Sequence, residues 1–331
     1  MAQSSISVVI PAYNGSRFIR EALDSVFCQT LMPDQVIVVD DASTDGTAEI
    51  AAGYQGPPAV RVIRRARNSG GPACPLNHGI RAATGEYIAV LDQDDVFTPQ
   101  KLEQQAGVLE EHPQVSLVFG MGANYEVPDQ PIAHPWLLSQ LESEPRMPGE
   151  RLLLPGRVML RQLLADNNFV GGYPGFMFRR ASLAAKDGLD ERLRIASDYD
   201  LICWLCTQGQ VAFIPQIHYL RRLHGGNLSD SPWPMLRELA RVRARYVARD
   251  PKLRKEAGLT SSPAGELAAR LGLPSLAEVR QRFLERSAWL AGRCLPQPAY
   301  RLVRAVFRRL ARSESTPSPA SSEAGRHGSP H

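Results

Sequence analysis

The sequence has few cysteines, no long apolar run and little excess charge, and each shortage removes a class of protein. Its five cysteines (Cys28, Cys74, Cys203, Cys206 and Cys294) are odd in number and scattered over 331 residues. That is no disulfide framework, and it fits a reducing compartment. Cys203 and Cys206 form a lone CxxC without a second pair to complete a zinc site, and their spacing sets both on one face of a helix. Burial in the core is their expected role. No stretch approaches the roughly 20 apolar residues of a membrane-spanning helix. No basic segment with a cleavage site precedes the first apolar run, Ile6–Ile10, so the expected location is cytoplasmic. A net charge of +4 is too small to argue for nucleic acid as a partner. No internal repeat is visible.

What remains is the composition of a globular protein, 44% hydrophobic and 22% charged, able to bury a large core. The length suggests two domains, or one enlarged α/β domain with additions. Ser7–Ile10, Gln35–Val39, Val60–Ile63 and Tyr87–Leu91 are short apolar runs, each a predicted strand. Between them Phe18, Ile19, Ala22, Leu23, Val26 and Phe27 recur at helical spacing, and Thr47 can cap a short helix after the Asp45-Gly46 turn. Another helix begins between Pro72 and Pro75 and runs to about Ala83, and Thr98-Pro99 starts the next.

Continuous apolar strands separated by amphipathic helices predict a mostly parallel sheet covered on both faces, with ligands at the carboxyl ends of its strands. Those ends carry Pro11–Asn14, Asp40-Asp41 and Asp92–Asp95. Residues 121–156 read as a Pro-rich, irregular, substrate-facing loop. Tyr173–Phe178 is a predicted strand, Ala181–Ala185 and Asp198–Gln208 predicted helices, and Val211–Ile214 and Ile217–Leu220 short strands. The pattern beyond Pro234 is helical and Arg-rich, and from Ser313 onward it predicts a disordered tail.

Asp92-Gln93-Asp94-Asp95 concentrates three carboxylates in four residues. Their repulsion costs stability unless a hard divalent cation, which also takes phosphate oxygens, offsets it. A solvated acidic turn with an Asp helix cap is the plainer account; the position after the fourth strand favours the cation. Asp41 follows the second strand, where a carboxylate can accept from an imide N–H or a sugar hydroxyl. Turn and capping chemistry accounts in part for Asp45, Gly46 and Thr47.

Taken in order, Ser7–Asn14, Val38–Thr47 and Gly85–Asp95 resemble the three signature blocks of family 2 glycosyltransferases. The resemblance covers about residues 5–110 and continues more weakly to about Ser229. It implies a GT-A fold, which is a Rossmann-like α/β arrangement with a mostly parallel central sheet flanked by helices. It also implies a nucleotide-sugar donor, uridine being the foremost base, with Mg²⁺ or Mn²⁺ and inversion at the anomeric carbon. Carried over by position, Pro11 and Tyr13 would line the nucleoside pocket and Asp41 would read the base. Asp92 would lie near the ribose and metal, and Asp94 would bind the metal directly.

Ser197-Asp198-Tyr199-Asp200-Leu201 resembles the acidic helix start that carries the family's catalytic base, which makes Asp198 the implied base and Asp200 the weaker candidate. Ser197 stands where the family commonly has Glu. Tyr219–Ser229 resembles the closing Arg/His element, in which Arg222 and a metal-bound His224 would stabilise the departing diphosphate. Two departures stand out. Leu76 precedes Asn77 where many members carry Arg, and the Arg expected soon after the acidic helix motif is missing near Cys203 and Trp204.

The organisation implied is a nucleotide-sugar-binding half over residues 1–120 and an acceptor-binding, catalytic half over 121–232. A C-terminal helical extension follows over 233–312, then the tail, 313–331. Ala299–Arg312 pairs an apolar face with five arginines and no acid. Two readings stand for it: docking on the domain's own surface, or peripheral contact with the inner face of an anionic membrane and a lipid-linked acceptor. The expected activity is transfer from a UDP-type sugar to an acceptor hydroxyl in glycan, polysaccharide or glycolipid synthesis. A sugar nucleotidyltransferase and an inactive sugar-binding module are the alternatives. The first lacks its basic triphosphate loop, since Pro11–Gly15 contains no Lys or Arg; Asp92, Asp94 and Asp198 count against the second.

Overall fold

The computed structural model describes residues 5–132, 135–143, 151–166, 170–225 and 232–259. The expectations for Cys294, residues 299–312 and residues 313–331 lie outside them. Strands β1 (Ile6–Ala12), β2 (Gln35–Asp40), β3 (Val60–Arg64) and β4 (Tyr87–Val90) pair in parallel in the order β3-β2-β1-β4. Side chains alternate across a strand, so β1 serves two cores at once. Val8 and Ile10 pack with Ile19, Leu23 and Val26 of α1 (Ile19–Phe27), whereas Val9 packs with Ala73 and Leu76 of α3 (Ala73–Ala82). The third helix comes very close to the sheet: a Cβ on Gly79 would lie 2.3 Å from Cγ1 of Val9. The short α2 (Thr47–Ala52) closes the β2–β3 crossover.

The second half departs from a parallel layout. After β5 (Val96–Phe97) and α4 (Lys101–Glu111) come β6 (Val115–Asn124), β7 (Val127–Ile132), α5 (Pro135–Ser143), β8 (Leu152–Leu154) and α6 (Gly156–Asp166). Then β9 (Phe176–Arg179), α7 (Ser197–Cys206), β10 (Gln210–Arg221), α8 (Pro232–Arg249) and α9 (Lys252–Glu256) complete the described chain. Strand β9 inserts antiparallel between β4 and β6, while β6 and β10 are parallel to each other. The result is a mixed α/β fold with one continuous central sheet, whose parallel character is confined to β3-β2-β1-β4 and the β6-β10 pair.

Several local expectations need correction. Residues 121–156 are not an irregular loop, because β6 continues to Asn124 and turns into β7, with a helix and a further strand beyond. Its prolines misled: Pro128 and Pro131 sit in an exposed strand whose only partner among the described residues is β6, and proline is tolerated on such an edge. Residues 173–175 form a 3-10 turn rather than the start of a strand, and residues 180–183 another. The two short strands expected at 211–220 are one, β10, with register shifts between Ile214 and Tyr219. Cys203 and Cys206 are buried in α7, as their spacing implied.

Helix α8 is fastened to α7 by polar contacts. Asp200, 1% exposed, takes Arg245 Nη1 and Lys186 Nζ at 2.8 Å each, and Tyr246 Oη donates to its carbonyl at 3.0 Å.

At the end of β2 the backbone of Ala42 has φ of +65°, in the left-handed region where a Cβ is unfavourable. Replacing Ala42 with Gly should raise unfolding stability by about 0.5–1 kcal/mol, read as a higher urea midpoint at an unchanged m-value. An unchanged or lower midpoint would show that the surrounding loop carries no strain.

Candidate active site

The loops that follow β1, β2 and β4 are laced together mostly by backbone N–H groups meeting side-chain oxygens. Tyr13 N–H donates to Gln93 Oε1 at 2.8 Å, and Gln93 Nε2 returns a bond to the Tyr13 carbonyl at 3.0 Å. Asn14 N–H reaches Ser43 Oγ at 2.9 Å, Gly15 N–H reaches Thr47 Oγ1 at 2.8 Å, and Ser16 N–H reaches Asp45 Oδ2 at 2.9 Å. Pro11 is buried at the end of β1, and Tyr13, 45% exposed, forms part of the rim. Asp41 is buried and held on two sides: Ser69 N–H and Oγ donate to Oδ2 at 2.8 and 2.7 Å, and Arg65 pairs with Oδ1. Each carboxylate oxygen can still accept a further bond. Beside it, Asp40 Oδ1 is buried without a hydrogen-bond partner.

Strand β4 ends in the acidic loop. Burial pushes the Asp92 carboxyl well above the usual range, and the charges of Asp95, Asp94 and Asp198 push it further, against the opposing pull of Arg221. Burial and the Asp94 charge push Asp95 up to about 7. Asp95 is buried and Asp92 and Asp94 are half-buried, so these carboxylates are only partly hydrated. The segment after β10 folds against them. His224 Nε2 lies 2.8 Å from Asp94 Oδ2, and its ring stacks on Phe18 with centroids 4.9 Å apart. Arg222 donates its N–H to Asp95 Oδ1 at 3.0 Å, while its guanidinium pairs with Glu21 and lies 3.9 Å from the Tyr125 ring centroid.

Asp198 arrives from the other half of the sheet, in the first turn of α7, with Oδ1 accepting the Tyr199 N–H at 2.7 Å. Its charge acts on both Asp92 and Tyr173, and the Tyr173 hydroxyl donates to Ser197 Oγ at 2.8 Å. Asp200, two residues on, is consumed by its buried ion pairs with Lys186 and Arg245.

Asp92, Asp94, Asp198, Arg222 and His224 therefore come together, with Pro11, Tyr13 and Asp41 in the adjoining loops. Arg222 is engaged by Glu21 and Tyr125, and the cation whose charge offsets Asp92 is its neighbour Arg221. Arg221 and Tyr173 also lie beside these acids, and the sequence had not singled them out. Strand alternation at 221–222 was the available signal for the first; nothing in the sequence pointed to the second. Among the described residues, no three His, Cys, Asp or Glu side chains enclose a metal by themselves. Small hard cations are commonly held by one or two carboxylates completed by substrate phosphates. The crowded, mutually repelling Asp92 and Asp94 fit such a role.

Residues 7–185 match Glycosyl transferase family 2. The chain belongs to that family. An uncharacterized glycosyltransferase of Rickettsia typhi is 29% identical over 233 residues, which span 70% of this chain and 68% of that one. Two solved structures share the fold. The TarS 1–349 fragment of S. aureus in complex with UDP-GlcNAc aligns with a TM-score of 0.58 at 22% identity, over 81% of this chain and 71% of that one. The mannosyltransferase PcManGT of Pyrobaculum calidifontis, in complex with GDP-Man and Mn²⁺, aligns with a TM-score of 0.59 at 19% identity, over 95% and 85%. The fold of this glycosyltransferase is thus GT-A.

The raised carboxyls bear on stability. A group whose folded pKa lies above its unfolded value, about 3.9 for Asp, weakens the fold as it ionises. These carboxyls therefore lower the melting temperature of the metal-free glycosyltransferase as pH rises from about 4 to about 7, whereas His218, buried and pushed down to about 3, raises it over most of the same span. Asp95→Asn removes one of the carboxyl contributions, so in a calorimetric pH series the variant's melting temperature should gain on that of the unsubstituted chain as pH rises through this span. An equal slope in the variant would place the cost elsewhere.

Proposed function

We propose that this chain transfers a sugar from a nucleoside diphosphate sugar, a UDP-sugar foremost, to an acceptor hydroxyl by a single inverting displacement. The observation that carries the reading is the meeting of two sequence-distant acids: the charge of Asp198 on α7 falls on Asp92 at the end of β4. A donor's diphosphate and an acceptor's hydroxyl need that pairing of roles within one cleft.

In this reading Asp41 accepts from the base, while Pro11 and Tyr13 line the nucleoside pocket. Asp92 lies by the ribose and the metal, and Asp94 with His224 would hold Mg²⁺ or Mn²⁺. The cation, when bound, supplies positive charge to the diphosphate. Arg222, anchored by Glu21, adds to the positive side of the same region. Asp198 takes the proton of the acceptor hydroxyl as its oxygen attacks the anomeric carbon. The new C–O bond forms as the bond to the diphosphate breaks, and the nucleoside diphosphate leaves with the bonding pair. Residues 1–120 serve the donor and residues 121–232 the acceptor and the base. Support for the donor class comes from UDP-GlcNAc and GDP-Man in the two structural neighbours. The acceptor is a glycan or lipid-linked hydroxyl. Among the described residues no helix is long and apolar enough to cross a membrane, and the reading needs none.

Asp94→Ala and Asp198→Ala should each lower donor turnover by about 100-fold or more, with an unchanged far-UV spectrum. Release of UDP from UDP-GlcNAc, or of GDP from GDP-mannose, measures it with Mn²⁺ present. Asp94→Ala should also abolish the rise in melting temperature that Mn²⁺ adds to nucleoside diphosphate. Full turnover in either variant removes that residue from its role.

A further inference from the structure

Helix α7 presents Asp198, yet none of its own side chains caps its start: the N-cap residue is Ala196, with no acceptor to offer. The backbone leading into the helix carries three N–H groups, at Arg194, Ile195 and Ala196. All three donate to a single carboxylate, that of Glu238 on α8. Arg194 N–H meets Oε1 at 3.0 Å, and Ile195 and Ala196 N–H meet Oε2 at 2.8 and 2.9 Å. Glu238 is only 6% exposed, so an acid that water does not reach is satisfied by three oriented backbone donors. These bonds join α8 to the backbone just ahead of the helix, while Arg245 and Tyr246 grip Asp200 in its first turn.

We infer that Glu238 is a positioning residue for the transfer step: by gripping the backbone at 194–196, it fixes the direction in which α7 offers the Asp198 carboxylate. The inference rests on the reading of Asp198 as the base. Without the acid, three N–H groups lose their acceptor, and the buried one at Ala196 costs most. The entry to the helix then shifts to find replacements. A displacement of about 1 Å at a reacting group lowers a rate by about 100-fold. Glu238 itself makes no hydrogen bond to the acidic loop or to Asp41; its link to the donor side is indirect, through Arg194 Nε, which donates to the Gly70 carbonyl at 2.8 Å, so donor binding should change far less than turnover.

Glu238→Gln keeps the shape and loses the charge, whereas Glu238→Asp keeps the charge on a shorter arm. Both are compared with Asp198→Asn, using whichever of UDP-GlcNAc and GDP-mannose raises the melting temperature more. Glu238→Gln should lower kcat by about 10- to 100-fold while the nucleoside diphosphate Kd stays within about twofold. Glu238→Asp should recover part of the lost kcat. If Asp198→Asn is inactive but Glu238→Gln keeps kcat within about twofold of the unsubstituted chain, the positioning role falls and the base stands. A Glu238→Gln variant whose kcat and nucleotide affinity fall together also overturns it, because that is general loosening. Full turnover in Asp198→Asn removes the base, and with it this inference. Amide hydrogen exchange on the unsubstituted chain tests the grip without any variant. The Arg194–Ala196 amides should be protected although they lie before the helix, and free exchange there overturns the inference.

Discussion

Like charges crowded into a space that is only partly hydrated oppose folding, and the arrangement around Asp92, Asp94 and Asp95 answers that opposition. The acids sit on the end of a strand buried on both faces, so they cannot disperse without disturbing β1 and β9. Gln93, between the acids, is tied to the backbone of Tyr13 by two bonds, which keeps the loop after β1 in step with the loop after β4. His224 and Arg222 close from the far end of β10. Such a cluster of acids is costly while no cation balances it. Stability is given up where chemistry needs charge.

The two halves of the sheet contribute differently. The parallel half presents loops at one edge, as any open α/β sheet does, and those loops hold Asp41 and the acidic cluster. The mixed half brings an acid of separate origin to the same place. Inserting β9 antiparallel beside β4 delivers the Tyr173 turn next to the end of β4, and α7 follows with Asp198. Helix α8 lies beyond the 7–185 match to the family. Yet its Glu238, Arg245 and Tyr246 hold the helix that carries the acid.

The first half was legible because its signals are local. Runs such as Val36–Val39 are buried on both faces, and continuous apolar character is what such burial demands. Asp92, Asp94 and Asp198 could be named from short motifs for the same reason. The second half depends on pairings that no short window contains. The strand at 127–132 is exposed throughout and carries two prolines, so neither alternation nor propensity marks it. Tyr173 and Arg221 matter through neighbours that are distant in sequence. Arg222 could be named from its motif, but its anchor, Glu21, lies some two hundred residues earlier and no short window pairs the two.

The exposed strand β7 has a consequence of its own. An unpaired edge is a template on which another chain's strand can add, and proteins guard such edges in several ways. Here Pro128 and Pro131 each leave the strand without one backbone N–H donor, and Asp129 places a charge between them. The prolines that gave this segment the look of a loop therefore also make it a poorer template for a further strand than an all-donor edge would be.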